Sequence, residues 1–85
     1  MVEKLKTFIK DNNLSFKEGQ RNTNAVILCG YALHINKTAK DCKESVKEYS
    51  SKELDDEIDR VYFYASTNGY GKWWQNENAK KMYKF

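Results

Sequence analysis

An 85-residue chain can close one hydrophobic core but not two, and at this size it buries only about 60–65% of the surface exposed when unfolded, which leaves little stability to support an elaborate buried active site. Hydrophobic residues make up 40%, charged residues 32% and aromatic residues 14%, a composition that folds rather than stays disordered. A formal charge of +3 argues against an acidic mimic of DNA; no apolar run approaches the ~18 residues of a membrane span; and Cys29, Cys42 and His34 are too few for a closed zinc site, which takes about four Cys and His ligands.

Val2, Leu5, Phe8 and Ile9 recur at helical spacing while Glu3, Lys4, Lys6 and Lys10 fall elsewhere, which predicts an amphipathic helix over 2–11 ending near Asn12 and Asn13. Leu14 to Lys17 alternates and then meets Gly19, the pattern of a short extended segment near residues 14–18 running into a turn. Residues 25–35 are apolar almost throughout, and β-branched Val26 and Ile27 would also suit a buried strand. Eleven residues is long for a strand, and Asn22, Thr23 and Asn24 offer caps just upstream, so the stretch is read as a helix at the centre of a small bundle. Gly30 opposes that reading by about 1 kcal/mol of propensity.

Thr38 with Asp41 forms a capping-box pattern, and Ala39, Cys42, Val46 and Tyr49 then recur at helical spacing, which predicts a third helix reaching about residue 49. Ser50 with Glu53 repeats the pattern ahead of Leu54, Ile58, Val61, Tyr62 and Ala65, the best-defined helix of the chain, with carboxylates in its first turn where the helix dipole favours them. Asn68-Gly69 supplies a left-handed stop, and Tyr70 to Phe85 is expected to add one more short helix. The expected fold is mostly α: a single helical bundle of four to five helices occupying residues 1–85 as one domain, with no linker, repeat or proline.

Charge is spread unevenly, with net +3 over residues 1–50, −3 over 51–60 and +3 over 61–85. Two basic regions flanking an acidic helix suit a protein that meets phosphate with one surface. The Lys-rich start, Met1 to Lys10, is no signal peptide, so a cytoplasmic protein with reduced, inward-facing Cys29 and Cys42 is expected.

Glu18-Gly19-Gln20-Arg21-Asn22 stands immediately before the apolar helix, and Asn36-Lys37-Thr38 leads to the next. This order resembles the C-terminal helical domain of plasmid and phage primases, the primase C-terminal 1 type, whose members carry a Gly-x-Arg-Asn turn leading into a helix. Gly19, Arg21 and Asn22 match the turn, and the resemblance covers roughly residues 14–65, with Arg60-Val61-Tyr62 fitting the family's last helix. The helix after the turn lacks the Arg-rich ending usual in the family. A free-standing copy of about this size resembles small proteins encoded beside a family-A-type DNA polymerase on staphylococcal cassette elements, which implies binding to single-stranded DNA and to that polymerase subunit in support of primer synthesis.

Read without any family, Asn22 is placed to cap the second helix, and Arg21, with Lys17 nearby, offers phosphate a docking point at a helix N-terminus. Arg21 could equally pair with a carboxylate of the fourth helix and brace the turn. Tyr70-Gly71-Lys72-Trp73-Trp74, followed by Lys80, Lys81, Tyr83, Lys84 and Phe85, interleaves rings with cations, the combination that stacks bases while neutralising the backbone. One or both tryptophans could instead cover the core. The carboxylates Glu53, Asp55, Asp56, Glu57 and Asp59 point in different directions around a helix and read as a solvated or partner-facing surface, and His34 reads as a packed or edge histidine. Neither a cofactor nor a catalytic group is expected. The reading is an accessory binding module, and the competing one is an inhibitor from a phage or mobile element that acts by protein contact alone.

Overall fold

The computed structural model describes residues 2–85, which form a helical bundle with no strand among the described residues. The helices are α1 (Glu3–Asp11), α2 (Arg21–His34), α3 (Ala39–Ser45), α4 (Lys52–Thr67), α5 (Tyr70–Trp73) and α6 (Glu77–Met82), with a 3-10 turn at Lys47–Tyr49. Helix α2 is the hub, lying along α4 and also meeting α1, α3 and α5. Leu28, Cys29, Gly30, Tyr31 and Ala32 are all buried in succession, as an apolar helix at the centre of a small bundle requires. Leu54, Ile58, Val61 and Ala65 form the single buried stripe of α4, and Leu5 and Phe8 that of α1.

Left-handed residues end three of the helices: Asn13, Asn36 and Gly69, at φ 54°, 61° and 69°. After Asn13 the amide of Leu14 donates back to the Ile9 carbonyl at 3.0 Å, and after Asn36 the amide of Lys37 donates to Ala32 at 2.8 Å, the six-to-one bond that closes an exposed helix end. Thr38 and Asp41 form the expected reciprocal box at the start of α3, and they hold the Asp41 carboxyl below its ordinary pKa through the Thr38 backbone amide. Cys29 and Cys42 are both buried free thiols. Hydrogen bonding to Cys29, and then burial, pushes the Cys42 thiol far up, away from the reactive thiolate.

The structure departs from expectation in five places. Residues 14–16 are irregular chain, followed by turns over 17–20, and drop Phe16 into the core rather than forming an extended rung. Helix α2 starts at Arg21, and no side chain caps it: Asn22 lies inside the first turn, bonded to Glu57, while Asn24 donates to the Ser15 carbonyl at 2.6 Å. Two of the three expected caps, Asn22 and Asn24, are drawn away by tertiary partners. Ser51, not Ser50, caps α4, accepting from the Leu54 amide at 3.1 Å. Helix α3 stops at Ser45, and the 3-10 turn that follows takes Tyr49 off the buried stripe and leaves it exposed. Residues 70–85 make two short helices rather than one, so the described residues form six α-helices.

Those last two helices are seated by aromatic rings. Phe8 stacks on Tyr31 with centroids 4.0 Å apart, Trp74 meets both edge-on at 5.4 and 5.5 Å, and Tyr83 and Phe85 lie 5.1 and 5.3 Å from Trp74. Helix α5 lies this close to α2 because Gly30 and Gly71 lack side chains: a Cβ at Gly30 would stand 2.8 Å from Trp74 Nε1, and one at Gly71 would stand 2.9 Å from Leu33 Cβ. Asn12 completes the seam, donating from Nδ2 to the Lys84 carbonyl at 2.9 Å and accepting from the Lys84 amide at 2.8 Å.

Candidate nucleic-acid interface

The α5–α6 hairpin owes its shape to local signals. Gly69 in the left-handed region lets the chain reverse out of α4, and the Asn76 side chain accepts from the Asn78 amide at 2.9 Å to start α6. One turn of helix then separates two adjacent tryptophans by about 100°, and they part company. Trp74 is 3% exposed and belongs to the core, which corrects its place among the expected base-stacking residues; Trp73 is 40% exposed and free to meet a ligand. Tyr70 is half-buried. Lys72, Lys80, Lys81 and Lys84 are all exposed, and none of the ion pairs among the described residues involves them. Only Glu77 offsets their charge between residues 70 and 85.

Trp73 forms one wall of an apolar cleft of about 300 Å³ between the hairpin and α2. Val26, Ile27 and Gly30 supply the α2 side, and Tyr70, Trp73, Trp74 and Tyr83 the hairpin side. The rings are held in place by one another. Trp73 stands perpendicular to Trp74 with centroids 5.1 Å apart, Tyr83 lies 6.1 Å from Trp73, and Tyr70 meets Tyr64 of α4 edge-on at 5.7 Å. Sequence reasoning assigned Val26 and Ile27 wholly to the core. The available signal was an apolar surplus, two β-branched residues beside a glycine on a helix with more apolar surface than so small a bundle can cover.

The residues of the Gly19 turn lie elsewhere. Lys17 is exposed in the turn, and Gly19 takes φ 90°. Arg21 is half-buried as the first residue of α2 and enters no ion pair among the described residues, so the brace to α4 runs through its neighbour. Asn22 donates to the Glu57 carboxylate, which also takes Arg60. Nine residues of helix place Arg21 about 14 Å along α2 from Gly30. The expected contact residues thus fall into two groups, one at the start of α2 and one around its later turns.

Helix α4 presents a different surface. Lys43 bridges to Asp59 at 2.7 Å and Lys52 to Asp56 at 2.8 Å, exposed pairs worth about 0–1 kcal/mol each. Phe63, 72% exposed, and the exposed Tyr64 continue the acidic face toward the end of the helix. Among the described residues no group of three or more His, Cys, Asp or Glu side chains is placed to hold a metal, and none of the helices is long and apolar enough to cross a membrane. His34 packs at the edge of the aromatic seam, 6.0 Å from the Phe85 ring.

Comparison with family models, with curated proteins and with solved structures returns no match to this chain. The primase resemblance therefore rests on the Gly19, Arg21, Asn22 turn and the order of helices.

Proposed function

We propose that this chain is a non-catalytic accessory subunit that binds single-stranded DNA and a family-A-like DNA polymerase, supporting primer synthesis on a mobile element. One observation carries the nucleic-acid half: the stretch from residue 70 to 85 carries the exposed Trp73 ring and four exposed lysines with no ion-pair partner among the described residues. An exposed ring stacks any base, and the lysines neutralise phosphates without reading sequence. Arg21, at the head of α2, gives the same strand a further phosphate contact. The polymerase half is supported by the outward face of α4, where carboxylates repel DNA and Phe63 offers an apolar anchor for a protein.

Fluorescence anisotropy with a labelled oligodeoxythymidine tests the first half. About three neutralised phosphates, at roughly −0.7 each, give a log–log salt slope near −2. Affinity unchanged between low and high salt would sink the reading. Exposed Phe63 also favours a second reading, in which α4 alone docks on a host protein and the chain acts as an inhibitor of phage or mobile-element origin. A pull-down from the host repeated with nuclease separates the two, since the accessory subunit returns a polymerase and the inhibitor a defence complex.

A further inference from the structure

The indole N–H of Trp74 donates no hydrogen bond to any described residue, although the side chain is almost wholly buried. Every fully buried side-chain polar atom among the described residues has a partner, so this N–H keeps an opening to the outside. The geometry shows where: Nε1 stands over Gly30, 2.8 Å from the place a Cβ would occupy, and Gly30 and Trp74 both line the cleft. The cleft is thus apolar on its walls, with the Trp74 N–H at the edge where it meets α2. At about 300 Å³ it sits at the lower end of the roughly 300–1,000 Å³ of small-molecule sites, which suits one ring system rather than a whole nucleotide.

We infer that this cleft holds a single unstacked nucleobase of the bound strand, edge toward α2, with the Trp74 N–H donating to a carbonyl oxygen or ring nitrogen of that base. This rests on the single-strand reading above and deepens it. A flat ring that bears acceptors and travels on a polyanion matches all three properties of the site: aromatic walls, one donor, and Lys72 adjoining Trp73 in a hairpin of net positive charge. An aliphatic or phenylalanine side chain of a protein partner would leave the donor unanswered, at the cost of a buried polar group without a partner. Unstacked bases are commonly recognised in this way, stacked on rings and hydrogen-bonded at an edge.

Two oligonucleotides of equal length test it, one of deoxythymidines and one with abasic sites along the same phosphate backbone. One base held between rings makes the thymidine oligonucleotide bind about five- to 150-fold more tightly, and the Trp74 indole resonance in a ¹⁵N–¹H spectrum moves on its addition but not on addition of the abasic one. Gly30→Ala, which fills that edge, abolishes the difference while keeping the salt slope. Val26→Phe, which fills the cleft from the α2 wall and leaves the bare Gly30 backbone under Trp74 in place, does the same and covers the case in which Gly30→Ala disturbs the fold. Equal affinity for both oligonucleotides with an unmoved indole resonance overturns the base site alone and leaves the cleft to a protein side chain. Binding of neither overturns the single-strand reading with it.

Discussion

Helix α4 and the α5–α6 hairpin are neighbours in sequence and carry opposite charge, yet the deeper contrast lies in how each divides its residues between fold and surface. In α4 the division follows the helical period: Leu54, Ile58, Val61 and Ala65 face inward, Asp56, Asp59 and Phe63 outward. Its binding face is therefore separable from its core. The hairpin has only one turn of α5 and has no such separation, because Trp73 and Trp74 touch each other and share the walls of one cleft. A surface built on a long helix can change without affecting stability, whereas one built on a short aromatic hairpin cannot.

The largest expected effect tests that coupling. Trp74→Ala removes a ring that meets Phe8, Tyr31, Tyr83 and Phe85, and should cost about 3–5 kcal/mol in urea unfolding, a large part of the roughly 5–15 kcal/mol that holds a small domain together. Phe63→Ala on α4 should stay within about 0.5 kcal/mol. Equal losses at the two positions would break the comparison.

Next comes binding. Trp73→Ala combined with Lys72→Gln, Lys80→Gln and Lys81→Gln should lower oligodeoxythymidine affinity at least about tenfold, and the salt slope should fall toward zero. Phe63→Ala should leave both unchanged while weakening capture of the polymerase. A slope that survives the lysine changes would move the phosphate contacts to another surface. Smaller still, Arg21→Ala is expected to reduce primer-independent initiation several-fold and to reduce extension from a supplied primer less, because a primed end no longer needs template and first nucleotide held together. Circular dichroism of the variant must first match wild type, and equal losses in both assays would leave Arg21 a structural role only.

How much of this was legible depended on the range of the interaction that decides each residue. The Thr38–Asp41 box could be read because both partners lie within one helical turn. The start of α2 was misplaced because Asn22 and Asn24 answer to Glu57 and Ser15, groups that sequence neighbours do not reveal. Ser50 and Ser51 are chemically identical, and the difference lies in the backbone, where Ser50 closes the 3-10 turn and Ser51 takes the extended N-cap position of α4. Trp73 and Trp74 could not be told apart from the string that contains them, since the bare backbone of Gly30, more than forty positions away, is what admits one of the two rings.

The smallest effect is electrostatic and belongs to neither region. The Asp41 carboxyl is lowered by its bond from the Thr38 amide, so the unfolded chain binds that proton more readily than the folded one. Its contribution is present above the unfolded value of about 3.9 and disappears as pH falls through the lower folded value. Asp41→Asn should therefore flatten the loss of stability on acidification below about pH 4 and change little near neutrality, as thermal melts across that range would show. An unchanged acid limb would mean that the box contributes only through the Thr38 hydroxyl.

The seam between Asn12 and Lys84 joins residues 72 positions apart, and this gives the molecule an order in time. Closing so long a loop adds little to the equilibrium cost, about 0.6 kcal/mol per doubling of length, but because synthesis runs from the N-terminus the hairpin emerges after every element it docks on. A chain extended only through α4 can pair α2 with α4, yet Phe8, Gly30 and Tyr31 then wait uncovered for Trp74. Until the hairpin docks, the nascent protein shows chaperones and proteases an aromatic face, and the same step that conceals this face also assembles the cleft.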